Sequence, residues 1–200
     1  MSTTVPSVER SASPGLTRRQ AELLDQLEAL FLADGFARFT LDDLALRLRC
    51  SKSTLYALAG SKEQLAQRVI KHFFRKATDA VEAQLVAESD PAIRVTAYLS
   101  AVARALAPAS PAFHRDLDAF APGREVYERN TALAADRVRE LIAGGVAQGR
   151  FREVHPALVA DTVTTLMFRI GRGDTARATG LDDAAAYREL AALLLHGIAL

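Results

Sequence analysis

Between Thr40 and Lys62 the chain gathers hydroxyls and cations at spacings suited to holding an anion. Thr40, Ser51 and Ser61 each stand where a helix would begin, so each hydroxyl can accept an amide N–H at that end. Helix N-termini also carry unsatisfied amides and a positive dipole, which makes phosphate clamping the economical role for Thr40 and Lys62. Between them, Ser51-Lys52-Ser53-Thr54-Leu55-Tyr56 places its polar groups on one short helical segment. Lys52 has the reach for guanine O6 or N7, and Thr54 suits a thymine methyl or a phosphate. Ser53 shares the first turn, and Tyr56 offers a phenol to a sugar-phosphate backbone. Arg18 and Arg19 add charge, and the segment around Arg10 could lie along a groove. Each residue also has a purely structural role: the hydroxyls cap helices whether or not DNA is bound, the lysines are ordinary solvated charges, and Leu55 is core.

Other chemistries find little support. His72, His114, His155 and His196 show no i,i+4 pairing, so zinc hydrolysis is not indicated. The one cysteine, Cys50, excludes an intramolecular disulfide and suits a reducing cytosol, where it reads as a small buried apolar residue. No nucleophile–base pair, metal-ligand spacing or phosphate loop is evident, so neither an enzyme nor a cofactor or metal is expected. No apolar stretch approaches the roughly 20 residues of a membrane span. A cytoplasmic protein is expected.

The 200 residues are half hydrophobic, rich in Leu and Ala and without Trp, which favours an all-α fold. The net charge is +1, unevenly spread: residues 1–75 hold 11 Lys/Arg against 8 Asp/Glu, and the remainder 14 against 16. The modest basic excess is N-terminal, which permits nucleic-acid binding there without establishing it.

The elements that must position these residues follow from periodicity and caps. Met1 to Gly15 reads as a disordered tail. Thr17 to Gln20 is a capping box opening a helix that runs to about Asp34, with Gly35 as its stop. Leu41, Leu44, Ala45 and Leu48 mark a two-turn helix after the Thr40 cap, with Asp42 and Asp43 favoured by the dipole in its first turn. A turn at Arg49-Cys50-Ser51 leads to a third short helix ended by Gly60. Ser61 to Gln64 is a second capping box, opening a connector helix over about 63–87. Asp90-Pro91, Ser110-Pro111 and His155-Pro156 mark further starts. A long helix runs from Arg124 to about Gln148, 171–180 reads as a loop, and a last helix follows Leu181. Nine helices are expected, with no strand or repeat.

Two short helices across a tight turn match a helix-turn-helix, whose second helix enters the major groove. Thr40-Leu41-Asp42-Asp43-Leu44-Ala45, Ser51 to Tyr56 and Gly60-Ser61-Lys62-Glu63-Gln64-Leu65 together resemble the DNA-binding domain of the TetR family of bacterial repressors. Asp34-Gly35-Phe36 followed by Phe39-Thr40 looks like that family as well, so the resemblance covers about Thr17 to Val69. It departs at Arg49, where the family usually has glycine, and at Cys50, Ser53, Leu58 and Ala59. Arg49 implies strain or an altered turn, since non-glycine residues disfavour positive φ. Leu58 cannot donate to a phosphate.

The resemblance implies a nine-helix architecture with a DNA-binding domain over 16–62 and an effector-binding and dimerisation domain over 63–200. It implies a homodimer on a double-stranded, pseudo-palindromic operator, paired through helices 156–171 and 182–198 and released by a small-molecule effector. Among polar groups on apolar helix faces, Tyr98, His114, Tyr127, Thr165 and Arg169 are the effector-contact candidates. The alternative is a helical ligand-binding or scaffold protein of the same fold that has lost DNA binding.

Overall fold

A computed structural model describes residues 16–85 and 88–198, so the tail reading of 1–15 and the last residues of the expected connector lie outside it. Ten α-helices and no strand are found among these residues. The helices are α1 (Arg18–Asp34), α2 (Leu41–Arg47), α3 (Lys52–Tyr56), α4 (Lys62–Leu85), α5 (Pro91–Leu106), α6 (Pro111–Ala119), α7 (Ala121–Ala147), α8 (Pro156–Gly171), α9 (Asp174–Thr179) and α10 (Asp183–Ile198).

The count corrects the expected nine. The stretch read as a loop over 171–180 contains α9, bracketed by Gly173 at φ 72° and Gly180 at φ 76°. Six residues are too few to show a period, and the flanking glycines look like loop punctuation although here they start and stop a helix. The long α7 also starts earlier than Arg124, because Pro122 is seated in its first turn.

Local signals for the first four helices are realised atom by atom. Thr17 and Gln20 close a capping box on α1, and Thr40 and Asp43 close another on α2. Gly35 stops α1 at φ 76°, and its N–H donates to Phe31 O. At the start of α4 the box is rearranged: Gln64 N–H donates to Ser61 Oγ at 3.2 Å, while Gln64 Oε1 accepts from Gly60 N–H at 2.9 Å.

Two apolar clusters organise the chain. One gathers Leu24, Leu27 and Phe31 of α1, Leu44 of α2, Leu55 and Leu58 around α3, and Leu65, Val69, Ile70, Phe73 and Phe74 of α4. It also takes in Phe113 and Leu117 of α6 and Val126 of α7, so helices from beyond residue 63 help bury the N-terminal helices. The other joins the distal half of α4 to α5, α7, α8 and α10 through residues such as Val81, Leu99, Ile142, Val163 and Leu190. Because α4 supplies both clusters, it is a mechanical link between them.

Candidate functional site

The turn between α2 and α3 holds Arg49 at φ 50°, the one non-glycine residue with positive φ among those described. Its N–H donates to Leu46 O at 3.3 Å, and that of Cys50 to Ala45 O at 3.0 Å. Cys50 is half-buried, and burial pushes its thiol up. Ser51 caps α3 by accepting from Thr54 N–H at 3.2 Å, and its Oγ lies 2.7 Å from Ser53 Oγ and 2.8 Å from Thr54 Oγ1. The three hydroxyls therefore satisfy one another on an exposed helix end. Tyr56 stands 51% exposed.

Lys52 is not free. Its Nζ lies 2.6 Å from Asp42 Oδ1 on α2, and this hydrogen bond holds the ammonium above its ordinary range. Lys62, at the first residue of α4, donates to Ala37 O at 2.8 Å and so ties α4 to the α1–α2 loop. Thr40 donates its hydroxyl to Asp43 and accepts the Asp43 N–H, and the hydrogen bonds from Thr40 hold the Asp43 carboxyl below the usual range. Arg18 reaches Glu22 one turn on at 2.9 Å from an almost fully solvated position. Thr40, Ser51 to Tyr56 and Lys62 are thus brought to neighbouring helix ends, while Arg18 stands at the start of α1.

Leu58 is 3% exposed and part of the core, and Ala59 packs against the same cluster, so these departures serve packing. The turn after α3 is held instead by Arg68, whose Nη1 donates to Leu58 O. Sequence reasoning overlooked Leu46, which is 81% exposed beside the motif, and Arg38 and Arg47, whose guanidinium carbons lie 5.0 and 4.9 Å from the Phe39 ring centre. Leu46 was legible as the apolar residue of α2 off the Leu41/Leu44/Leu48 stripe.

The second site is a chamber of about 410 Å³ between α4, α5, α7 and α8. Its apolar wall includes Phe74, Val81, Val102, Met167 and Phe168, and its polar residues include Glu82, Asn130, Arg137, Glu140 and Thr164. Tyr127 joins Phe74 and Phe168 in an aromatic group, with ring centres at 5.8 and 5.5 Å. Tyr98 and Tyr127 both line the chamber, and burial pushes each phenol up to about 12. The guanidinium of Arg137 is bidentate to Glu82 at 3.0 and 2.9 Å and reaches Glu140 at 2.8 Å.

The other three expected effector contacts are not brought there. Thr165 and Arg169 are exposed on α8, because one residue of helix is 100° of rotation and the inward hydroxyl belongs to Thr164, which donates to Ala160 O at 2.9 Å. His114 lies on α6 against the end of α8, near Gly171, and burial holds its imidazole below the ordinary range. The Glu82–Arg137 pair was missed because 55 residues separate its members, and no local pattern marks a pairing across that distance.

Sequence spacing also gave no hint of Asp25, Glu28 and His72, whose ligating atoms meet between α1 and α4. Lys76 Nζ reaches both carboxylates at 2.9 and 3.0 Å. An arginine only donates, so the 3.1 Å contact from Arg75 makes His72 Nδ1 the acceptor and leaves Nε2–H for Asp25 at 3.0 Å. The group is an ion-pair network fastening α1 to α4.

The family model "Bacterial regulatory proteins, tetR family" matches residues 23–69, which hold the helix-turn-helix. An uncharacterised HTH-type transcriptional regulator of Bacillus subtilis (strain 168), YfiR, is 28% identical over 145 residues, covering 70% of this chain and 71% of that protein. Among solved structures, a candidate transcriptional regulator of Saccharomonospora viridis in complex with choline superposes with a TM-score of 0.77 at 17% identity, over 91% of this chain and 98% of the other. The TetR-family regulator PfmR of Thermus thermophilus gives 0.65 at 23%, over 87% and 97%. A TetR-family regulator of Agrobacterium tumefaciens gives 0.73 at 16%, over 91% and 98%. The likeness to these structures is one of fold, and the N-terminal match supplies the motif: residues 23–69 match the DNA-binding segment of the tetR family of bacterial regulatory proteins.

Proposed function

We propose that this chain is a ligand-responsive repressor, a cytoplasmic homodimer that grips a pseudo-palindromic operator and lets go when a small molecule fills the chamber. The observation that carries the reading is that one helix, α4, begins at Lys62 beside the DNA-binding motif and lines the chamber with Phe74, Val81 and Glu82 further along. A ligand that moved the distal part of α4 would move its start. A coupling of typically 1–3 kcal/mol would suffice to weaken operator binding by roughly 5- to 150-fold.

We assign DNA binding to residues 16–62 and effector binding and dimerisation to 63–200. Lys52, Ser53, Thr54 and Tyr56 would meet bases and backbone, while Thr40, Ser51, Lys62 and Arg18 would hold phosphates. Dimerisation through helices 156–171 and 182–198 is supported by Leu158 and Leu193, which are 65% and 70% exposed on α8 and α10. Thr165 and Arg169, exposed on the same helix, would belong to that interface. The choline bound by the Saccharomonospora relative supports a small-molecule effector.

A second reading, a ligand-binding protein with weakened DNA binding, draws on Lys52 being held by Asp42 and on Leu58 being core. A salt-dependent gel shift on the DNA upstream of the protein's own gene separates the two. Repression predicts a specific band at moderate salt that Lys52→Ala and Tyr56→Ala weaken without changing the helical circular dichroism. A folded dimer by light scattering that gives no specific band supports the second reading.

A further inference from the structure

We propose that the chamber selects an amphipathic organic monocation, larger than choline, with its apolar body on the aromatic wall and its charge at the Glu82–Glu140 rim. The inference rests on reading the chamber as the effector site and adds the chemical class of its ligand.

Among the described residues Arg137 is the one basic residue lining the chamber, against Glu82, Asp136 and Glu140. Its guanidinium is taken up by bidentate Glu82 and by Glu140, so it offers little to an incoming carboxylate or phosphate. Asp136 is paired with Arg139, which does not line the chamber. One negative charge is therefore left over at the rim, from two glutamates sharing one arginine.

Most of the neutral donors are engaged as well, the Thr78 and Tyr127 hydroxyls excepted. Tyr98 donates to Ala134 O at 3.5 Å, Thr131 to Tyr127 O at 3.0 Å and Thr164 to Ala160 O at 2.9 Å. Asn130 donates through Nδ2 to Val126 O at 2.8 Å, which leaves its Oδ1 as the unengaged atom. What remains open is those two hydroxyls, carboxylate oxygens with spare lone pairs and an amide oxygen, with the unbalanced charge on the carboxylates. A wall of this kind opposes an anion, which would find no free cationic donor and a like charge. It favours a cation at the Glu82–Glu140 rim and leaves the aromatic group of Phe74, Tyr127 and Phe168 to the ligand's apolar body. A volume of about 410 Å³ falls within the range of drug-sized pockets and would be poorly filled by choline, so the ligand carries a longer apolar body.

The test uses three probes sharing a ten-carbon chain: decyltrimethylammonium, decanoate and decanol, each titrated below micelle formation into the full-length protein by calorimetry. The cation should bind about tenfold or more tighter than decanoate, the effect of one charge pairing in a partly wet site, with decanol between them. Glu82→Gln, which frees one side of Arg137, should weaken the cation about tenfold and strengthen decanoate. Should that variant melt early, Glu140→Gln, on a more exposed residue, is expected to shift both affinities the same way.

Decanoate or decanol binding as tightly as the cation overturns the proposal, as does no binding of any probe or an unchanged preference in both variants. Running each probe against the protein–operator gel shift keeps the two readings apart. Release by decanoate alone would overturn the monocation and leave ligand-responsive repression standing. Tight cation binding without release would uphold the monocation and count against the repression reading.

Discussion

Asp116 on α6 reaches back across the fold to Phe36: its Oδ2 accepts the Phe36 N–H at 2.5 Å and the Ala37 N–H at 2.7 Å. One carboxylate thereby satisfies the two amides that follow the Gly35 stop of α1, and it anchors the α1–α2 loop to a helix beyond the motif. The N–H of Ser110, the cap of α6, donates to Leu32 O at 2.8 Å and adds a second tie. A Cβ on Gly35 would sit 2.5 Å from that same Asp116 oxygen.

Asp116→Ala should therefore cost about 1–3 kcal/mol, because it leaves amides without a partner in a partly buried corner. Gly35→Ala should cost about 1–3 kcal/mol from its φ of 76° alone, with the clash in addition. Urea denaturation followed by far-ultraviolet circular dichroism checks both; midpoints equal to the wild type would refute the anchoring role.

Asp42→Asn should tighten DNA binding, since it releases Lys52 from an ion pair that a DNA contact would have to break. The salt dependence of binding should stay steep in this variant, whereas Lys52→Ala should reduce the log–log slope by about one. Filter binding across a salt series reads both numbers. A weaker Asp42→Asn complex would show that the pair pre-positions Lys52 for DNA.

Arg49→Gly should stabilise the fold by about 1 kcal/mol, because glycine adopts φ near 50° without the steric cost an arginine bears. Thermal melting without DNA is the check, and a lower midpoint would mean that the arginine side chain contributes more than its backbone costs.

Stability should fall in two steps as the pH is lowered. Burial holds His114 below 6.5, with Asp118 and Asp183 opposing and Arg172 assisting. The unfolded chain then binds more protons, so this contribution is fully present above about 6.5 and is lost as the pH falls below it. Asp25 lies below its ordinary 3.8, held there first by His72 and then by Lys76, so its contribution is present above the carboxylate range and is lost on further acidification. His114→Gln should flatten the urea midpoint between about pH 7 and 5 and leave the acid limb in place. An unchanged profile would contradict the assignment.

Tyr187 is 4% exposed, and its hydroxyl has no hydrogen-bond partner. Tyr187→Phe should raise stability by about 1 kcal/mol by removing a buried group without a partner; a loss of that size in urea melts would reveal a bond made in solution.

Local chemistry wrote itself plainly into the sequence. The Thr17 capping box, the Thr40 cap, the Gly35 stop and the strained turn at Arg49 are each readable within a few residues, and each is found. What could not be read depends on distance along the chain or on rotation about a helix. The Lys52–Asp42 pair joins two helices across the turn, Glu82 meets Arg137 across 55 residues, and Thr164 faces inward where Thr165 was expected. On α8 the apolar stripe is wide enough to fit more than one helix rotation, so its pattern alone could not decide which threonine turned toward the chamber.

The most direct test of the central claim is footprinting of the full-length protein on the DNA upstream of its own gene at moderate salt. The account predicts two protected half-sites related by two-fold symmetry, spaced about one helical turn or a multiple of it. Uniform or absent protection by a folded, helical protein would contradict it.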